Sequence, residues 1–532
     1  MGIEKNLQKL RASLNLTQEK FAELTGVSRQ AVQKWENGTA RPDLERIILI
    51  AKLFNVSIDA LLLNSDKRIA EELIYDRKIR PEYASMHKWE SYPDQLTVEY
   101  RQCIDEGKDL QLYQELFSAV GNLPASAERE KIADQLFSIV LNAPKVANYP
   151  YQEPSELEEI RNCRPSGGFL PTGPLPSRER LQNKIYGAWL GRICGCLLGK
   201  PIEGIRTNEL NQLLSACGNR PLYRYLEESD ITPELCNTLS FRLMGKAYAD
   251  TVPCAPVDDD TNYTVLSWVL LDKYGRDFTP YDVSLVWLDY QPKNAYCTAE
   301  RVAYRNLVAG YRPPYSAEYK NPYREWIGAQ IRGDYYGYIN PGDPEKAAEM
   351  AWRDACISHV GNGIYGEMYI SAMIAAAAVE TDLERIVEAG LAQIPEKSRL
   401  AEGVREILHR FRAKGSEKDC FRYIHSKYDE HNTYDWCHVI PNAMIVTAAL
   451  LWGSGNFGRS ICMAVETGFD TDCNGATVGS VLGMRNGSDC IGAQWRKPLN
   501  GMLDTSIFGV GRVSIREMAE RTMAHLPQHP AD

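Results

Sequence analysis

Six carboxylates fall in three short stretches of the chain. "VDDDTNYT", residues 257–264, sets Asp258, Asp259 and Asp260 in a row just before an apolar run, "VLSWVLL". "ETGFDTDCN" places Asp470 and Asp472 two apart ahead of a second run, and Glu203 follows Pro201 beyond a third. Each cluster lies at an expected helix boundary. A single carboxylate there serves as a cap or a partner for the helix dipole. Three adjacent acids and an Asp-Thr-Asp exceed that need. Brought together, six carboxylates raise one another's pKa and resist ionising. Hard divalent cations such as Mg²⁺, Mn²⁺ or Ca²⁺ relieve the repulsion, because they prefer carboxylate, hydroxyl and water oxygens. Thr261 and Thr471 supply hydroxyls nearby, and no His/Cys cluster with zinc-site spacing accompanies the acids.

The elements that must hold these acids read as helices. From about residue 181 the apolar periodicity is helical almost throughout, so the expected body is a large all-α domain. Two segments repeat Gly at every fourth position: Gly187, Gly191, Gly195 and Gly199 in "GAWLGRICGCLLGKPIEG", and Gly475, Gly479 and Gly483 in "GATVGSVLG". Glycine inside a helix costs about 1 kcal/mol against alanine. A row of glycines along one face therefore points to close approach of helix backbones in the core, a structural role. Pro201 should end the first of these helices.

The first sixty residues carry a different signal. In "LTQEKFAELTGVSRQAVQKWENG" (16–38), Thr17 and Ser28 are expected N-caps, and Phe21, Ala22 and Leu24 form a short buried face. Gly26 lies in the turn, Val32 and Trp35 face inward, and Gly38 stops the second helix. Two helices joined by a short Gly-containing turn describe a helix-turn-helix. Its second helix exposes Arg29, Gln30, Gln33 and Lys34, side chains able to reach guanine and adenine edges. Gln18, Ser28, Asn37 and Arg41 stand near the backbone-contacting positions, and the alternative is an all-helical interaction domain with a solvated polar face.

The chain has 532 residues, 44% of them hydrophobic and 24% charged, which suits a soluble globular protein of about three domains. The net charge is −10 and unevenly spread. Residues 1–68 hold 11 Lys/Arg against 8 Asp/Glu, a balance of +3, so the remainder carries −13. A slightly basic head on an acidic body suits a small nucleic-acid module joined to something else. The 14 Cys are scattered without CxxC pairs, and the polar start "MGIEKNLQKL" lacks an apolar signal region, so reduced thiols in a cytoplasmic protein are expected. No stretch is apolar for long enough to span a bilayer, and no membrane partner is expected. The expected domains are 1–68, a helical connector and linker over 69–180, and 181–532. The connector reads equally as a docking or dimerisation element and as a spacer.

The amino-terminal stretch resembles the Xre/Cro/phage-repressor helix-turn-helix family across about sixty residues, through "LTQEKFAELTGVSRQAVQKWENG" and "RPDLERIILIAKLFNVSIDALL". That resemblance implies a five-helix domain that binds operator DNA as a dimer. Residues 181–525 resemble the ADP-ribosylglycohydrolases, including the dinitrogenase-reductase-activating type. The resemblance rests on "GAWLGRICGCLLGKPIEG", "VDDDTNYT", "SHVGNGIYGEMYISAMIAAAA" and "ETGFDTDCNGATVGSVLG" in that order. It implies an all-α fold with a binuclear Mg²⁺ or Mn²⁺ centre. Asp259 and Asp260 match the family's paired acids, Asp470 and Asp472 its Asp-Thr-Asp acids, and Glu203 the Glu after the Gly-rich helix. His359 matches the family's Ser/Thr-His histidine and reads either as a substrate contact or as a buried core histidine. Asn362, Gly363, Asp334 and Asn340 fall in the substrate-loop regions. Three positions depart from the pattern. Asp258 and Cys473 stand where Thr is usual, and Cys196 stands where Asp is usual.

The resemblance implies metal-dependent hydrolysis of a ribosyl glycosidic bond. The metal ligands would come from Asp258, Asp259, Asp260, Asp470, Asp472 and Cys473, and a general base or charge-stabilising carboxylate from Glu203, Asp259 or Asp260. Three activities follow: an ADP-ribosyl hydrolase tethered to a DNA-binding module, a non-catalytic ligand-sensing regulator, and a hydrolase of another N-riboside whose amino-terminal module makes protein contacts.

Overall fold

In a computed structural model of the chain, the described residues are 3–14, 16–54, 56, 58–62 and 87–527. They belong to two compact units, Met1–Met86 and His87–Asp532. The expected boundary at 68/69 and the start of the connector lie outside the described residues.

The first unit has five helices among its described residues: α1 (Ile3–Ser13), α2 (Gln18–Thr25), α3 (Arg29–Glu36), α4 (Leu44–Leu53) and α5 (Ile58–Leu62). Thr17 caps α2 by accepting from Lys20 N, and Ser28 caps α3 by accepting from Ala31 N. Gly26 ends α2 at φ +65°, a left-handed conformation that glycine adopts without steric cost. The core gathers Ile3, Leu7, Phe21, Ala22, Val32, Trp35, Ile50 and Leu61. One expectation is corrected: Leu24 is 43% exposed, and Thr25 takes the inner position instead. Thr25 is tolerated there because its Oγ1 donates to Phe21 O at 2.7 Å, so no buried hydroxyl is left unpaired. Glu36 is buried at the end of α3, where Arg11 Nε (2.6 Å) and Gln18 Nε2 (2.7 Å) both donate to it. This pairing pins α1, α2 and α3 together.

The second unit begins with a small helical layer, α6 (Leu96–Asp105), α7 (Gln114–Gly121) and α8 (Ala127–Asn142), around Leu96, Phe117, Leu136 and Phe137. This layer packs on the body through charge. Arg324 reaches Glu99 (2.9 Å) and Glu106 (2.7 Å), and Gln102 Nε2 donates to Glu325 Oε2 at 2.8 Å. The Pro/Gly-rich stretch that follows also lies on the body, with Trp352 Nε1 donating to Ser155 O and Thr172 bonded to Glu380.

The body is helical. Its only strands among the described residues are the two-residue pair Met502–Leu503 and Val513–Ser514. Its centre is the contact of α9 (Arg178–Gly199) with a later helix, Thr471–Asn486. Residues Gly187–Gly199 of the first and Thr471–Met484 of the second are buried on every side. The glycine rows face each other in antiparallel register. A Cβ on Gly187 would lie 2.6 Å from Gly483 O, on Gly191 2.1 Å from Gly479 O, and on Gly195 1.9 Å from Gly475 O. At the last step, a Cβ on Gly199 would lie 2.3 Å from Asp472 N. Backbone meets backbone with no room for a methyl group. Three further helices enclose the pair and bear on the site: α10 (Asp259–Tyr274), α11 (Gly361–Ala377) and α12 (Val439–Gly453), with Thr471–Asn486 as α13.

Gly195→Ala and Gly479→Ala should each lower stability by about 1–3 kcal/mol, although alanine is the better helix former. Denaturant unfolding of the full chain measures this. Unchanged or raised stability would contradict the close-contact account.

Candidate metal centre

Because α9 and α13 run antiparallel, the carboxyl end of one lies against the amino end of the other. Thr471 Oγ1 donates to Gly199 O at 3.0 Å and ties the two ends together. After Gly199 the chain makes a 3-10 turn, Lys200–Ile202, carrying Pro201, and delivers Glu203. Asp470 sits at the N-cap position of α13, and its backbone N–H donates to Asn442 of α12. Helix α10 is held against α9 by Arg192, whose Nε and Nη2 donate to Asp260 O (2.8 Å) and Asp260 Oδ1 (3.0 Å). Asp258 caps α10 by accepting from Asp260 N at 2.9 Å.

The three acidic stretches therefore converge. Cys196, Asp258 and Asp260 present ligand atoms within 4.8 Å of one another; so do Asp260, Asp472 and Cys473, and so do Glu203, Asp470 and Asp472. Asp260 Oδ2 and Asp472 Oδ1 are buried with no hydrogen-bond partner. Anionic oxygens do not stay bare in a protein interior at low cost. The donor set of oxygens, with two thiols beside them, fits divalent cations, and the bare oxygens point to where they would be held.

Charge within the cluster is partly offset by the chain itself. Lys200 Nζ pairs with Asp258 Oδ2, and Arg192 bridges Asp260 and Asp334, at 3.0 and 2.9 Å. Burial works against both cations, but Asp258 holds Lys200 protonated, and Asp334 with Asp260 does so for Arg192. Asp258 stands where the resembled family has a neutral Thr, and Lys200 is the counter-charge that accommodates it. With Asp334 counted, seven ionised carboxylates against these two cations leave five negative charges, which divalent ions would largely offset. Burial and the Asp258 charge push the carboxyl of Asp472 up to about 6. Asp259 and Asp260 are also raised by burial and by their neighbours. Asp470 is raised by burial and then by Asp472. Glu203 is exposed, and its carboxyl is raised well above the usual range, first by the charge of Asp472.

The residues expected at the substrate are placed less uniformly. Asp334 lies one step behind the acids, on Arg192. His359 is fully buried, with Nδ1 2.8 Å from Ser358 Oγ and Nε2 unpartnered. Burial and Arg332 hold its ring well below its ordinary pKa, so it is neutral. Asn362 spends its side chain on protein groups, donating to Glu325 Oε1 and accepting from Leu400 N. Gly363 packs where a Cβ would lie 2.6 Å from Arg324 O. Asn340 is engaged by Tyr336 O and Arg276.

Sequence reasoning missed a second strip of polar groups. The chain at Trp326 makes an isolated antiparallel backbone bridge with His438, and Ile327 N donates to Cys437 O. Cys437 Sγ is in turn 3.7 Å from Asp470 Oδ2, so this strip continues from the acids. Trp326 Nε1 and both polar side-chain atoms of Gln330 are buried without hydrogen-bond partners, and His438 Nε2 faces Glu325 Oε2 at 3.7 Å. Glu300, paired with Arg332 at 2.9 Å, is buried behind Asp259 and adds to the rise of its pKa. Lys200 was visible in "GKPIEG", three residues before Glu203. The strip offered no repeat or spacing by which to find it.

In the first unit, Ser28 acts as the cap of α3, and Arg29, Gln30, Gln33, Lys34 and Asn37 are exposed. Arg29 pairs with Glu19 at 2.7 Å, and Gln18 turns its amide to Glu36 inside the domain.

Comparison with known proteins finds two separate matches along the chain. A family model described as ADP-ribosylglycohydrolase matches residues 177–531, and a helix-turn-helix family model matches residues 7–61. Among curated proteins, the HTH-type transcriptional activator BcrR of Enterococcus faecalis is 48% identical over 62 residues, 12% of this chain and 30% of that protein. Antitoxin PezA of Streptococcus pneumoniae is 44% identical over 55 residues, 10% of this chain and 35% of that protein. The chain thus spans about a third of the length of these two relatives. An uncharacterized HTH-type transcriptional regulator of Methanocaldococcus jannaschii is 39% identical over 64 residues, covering 97% of that protein and 12% of this chain. A solved structure described as an ADP-ribosylglycohydrolase-related protein complex aligns with a TM-score of 0.41 and 17% identity over 65% of this chain and 98% of its own. No described helix is long and apolar enough to cross a membrane.

The raised carboxyls give a pH signature. The unfolded chain ionises these groups at lower pH than the folded one, so metal-free protein loses stability as pH rises from about 4 toward 6 and beyond. Thermal unfolding in chelator should show that decline, and excess Mn²⁺ or Mg²⁺ should remove it. A metal-free protein whose stability is flat or rises over this range would contradict the converged cluster.

Proposed function

The chain belongs to the ADP-ribosylglycohydrolase family and carries a helix-turn-helix domain at its amino end, and from that premise we propose that it is a divalent-cation-dependent hydrolase of an ADP-ribosyl or related N- or O-ribosyl bond, joined to a DNA-binding module that acts in transcription. The observation that carries the reading is the convergence of Glu203, Asp258, Asp260, Asp470 and Asp472 at the end of the α9–α13 pair, with Asp259 beside them and with Asp260 Oδ2 and Asp472 Oδ1 unpartnered.

Asp258, Asp260, Asp470, Asp472 and Cys473, with the half-buried Asp259, would hold two cations, Mg²⁺ or Mn²⁺. Bound there, these ions supply fixed positive charge that orients ribose hydroxyls and makes water more acidic. Arg192 and Lys200 hold the Asp260 and Asp258 side chains in place by ion pairs. Glu203, exposed and with a raised pKa, stands where it can exchange protons with water. It takes a proton from water as oxygen bonds to the anomeric carbon, while the leaving group departs with the electrons of the broken bond. The strip of Trp326, Gln330 and His438, with neutral His359, offers hydrogen-bonding groups on the side of Asp470. That is where the remainder of a ribosylated substrate would be read. Arg29, Gln30, Gln33, Lys34 and Asn37 form the exposed face of α3 that would meet bases and phosphates. Gln18 and Ser28, whose side chains are used inside the domain, would contribute through the helix ends. The family resemblance supports a homodimer on DNA, and the reading places the protein in the cytoplasm.

Asp259→Asn and Asp472→Asn should each lower cation-dependent hydrolysis of ADP-ribosyl substrates by at least about 100-fold, a transition-state loss near 2.7 kcal/mol. DNA binding, read by salt-dependent shift assays, should stay as in the unaltered protein. Full hydrolysis by both variants would overturn the site assignment. Tight ribose-ligand binding with no turnover by the unaltered protein would favour the ligand-sensing regulator.

A further inference from the structure

The two candidate cation positions differ in chemistry. Glu203, Asp470 and Asp472 offer oxygen alone. The two groups that share Asp260 each include a thiol, Cys196 in one and Cys473 in the other. Arg192 engages Oδ1 of Asp260, which leaves Oδ2 as its free oxygen. Both cysteines are buried and outside any disulfide, and neither sulfur is engaged in a hydrogen bond. Elsewhere in the body, buried thiols such as Cys194 and Cys437 do donate to an oxygen. Each of the two groups around Asp260 thus holds one unengaged sulfur, Cys196 beside Asp258 in one and Cys473 beside Asp472 in the other, and Asp260 has a bare carboxylate oxygen.

Thiolate sulfur is soft. It favours Zn²⁺, Fe²⁺ and Co²⁺ over Mg²⁺, whereas carboxylate and water suit Mg²⁺ and Mn²⁺. We propose that the centre is built from two unlike positions: a mixed oxygen–sulfur position at Asp260, where the cation takes a sulfur from Cys473 beside Asp472 or from Cys196 beside Asp258, that selects a borderline divalent cation, and an all-oxygen position at Asp470 and Asp472, edged by Glu203, that takes a hard one. This rests on the acids being a cation centre. On binding, each ligating thiol releases its proton to solvent as the sulfur–metal bond forms, so no oxidant or reductant is involved. Without a cation, burial and the surrounding carboxylates push both thiols up, and Lys200 offsets this only in part for Cys196.

The full-length protein, stripped with chelator, is titrated with Co²⁺ while near-ultraviolet absorption and binding heat are recorded together. The expected result is a thiolate-to-cobalt charge-transfer band that Zn²⁺ displaces and Mg²⁺ does not. The band should weaken in Cys196→Ser and in Cys473→Ser and vanish in the double variant. The preference for Zn²⁺ over Mg²⁺ should fall by about tenfold or more in the double variant. Cys473→Thr, which restores a hydroxyl, serves as the second variant, and each variant is checked for native far-ultraviolet circular dichroism. If Co²⁺ binds with heat but without the band, or the serine variants keep the cation preference, the mixed position is overturned while the cation centre stands. If no divalent ion binds at all, both are overturned.

Discussion

The architecture of the site depends on one backbone contact. Helices α9 and α13 approach so closely that glycine faces carbonyl at three successive turns, and a fourth glycine meets the first turn of α13. Each glycine costs helix stability, and the return is geometric. The C-terminal end of one central helix is fixed within bonding reach of the N-terminal end of the other. Glu203 and the Asp-Thr-Asp acids, far apart in sequence, are neighbours for that reason alone. The register is set at four points, so the acids cannot drift relative to one another without opening the core.

Electrostatics set the second constraint. A cluster of six carboxylates, four of them buried, is tolerated because two fixed cations share it. Arg192 links α9 to α10 and to Asp334, and Lys200 answers the additional acid, Asp258. What these cations leave is a centre still negative, with bare oxygens on Asp260 and Asp472. The same lack of solvation that raises the carboxyl pKa values would strengthen any cation bound there. Glu203 differs in standing exposed at the edge, which suits a group that must exchange protons with water.

Much of this was legible in the sequence, for physical reasons. Glycine at every fourth position has few uses other than close helix contact, and runs of acids at helix starts exceed what caps require. The caps at Thr17 and Ser28 and the turn at Gly26 follow from local hydrogen bonding and backbone conformation, so they read well from sequence. That the two glycine rows pair with each other was not legible, because partner choice is a tertiary fact. Nor was the Lys200–Asp258 pair, since a lone lysine carries no spacing signal. Leu24 read as buried from its type, yet it lies on the outer face of α2, while Thr25 is inside because a backbone carbonyl is within reach. The strip from Glu325 to Gln330 has neither helical nor strand periodicity, and only its tertiary contacts with Cys437 and Val439 reveal it.

The central claim is that the three acidic stretches form one cation centre at the end of the α9–α13 pair. Anomalous X-ray diffraction from crystals of the chain soaked in Mn²⁺ tests it most directly. The account predicts anomalous density in bonding contact with Asp472 and with at least one of Asp260 and Asp470. Well-ordered crystals with no anomalous density at these acids, or with Mn²⁺ bound only elsewhere, would contradict it.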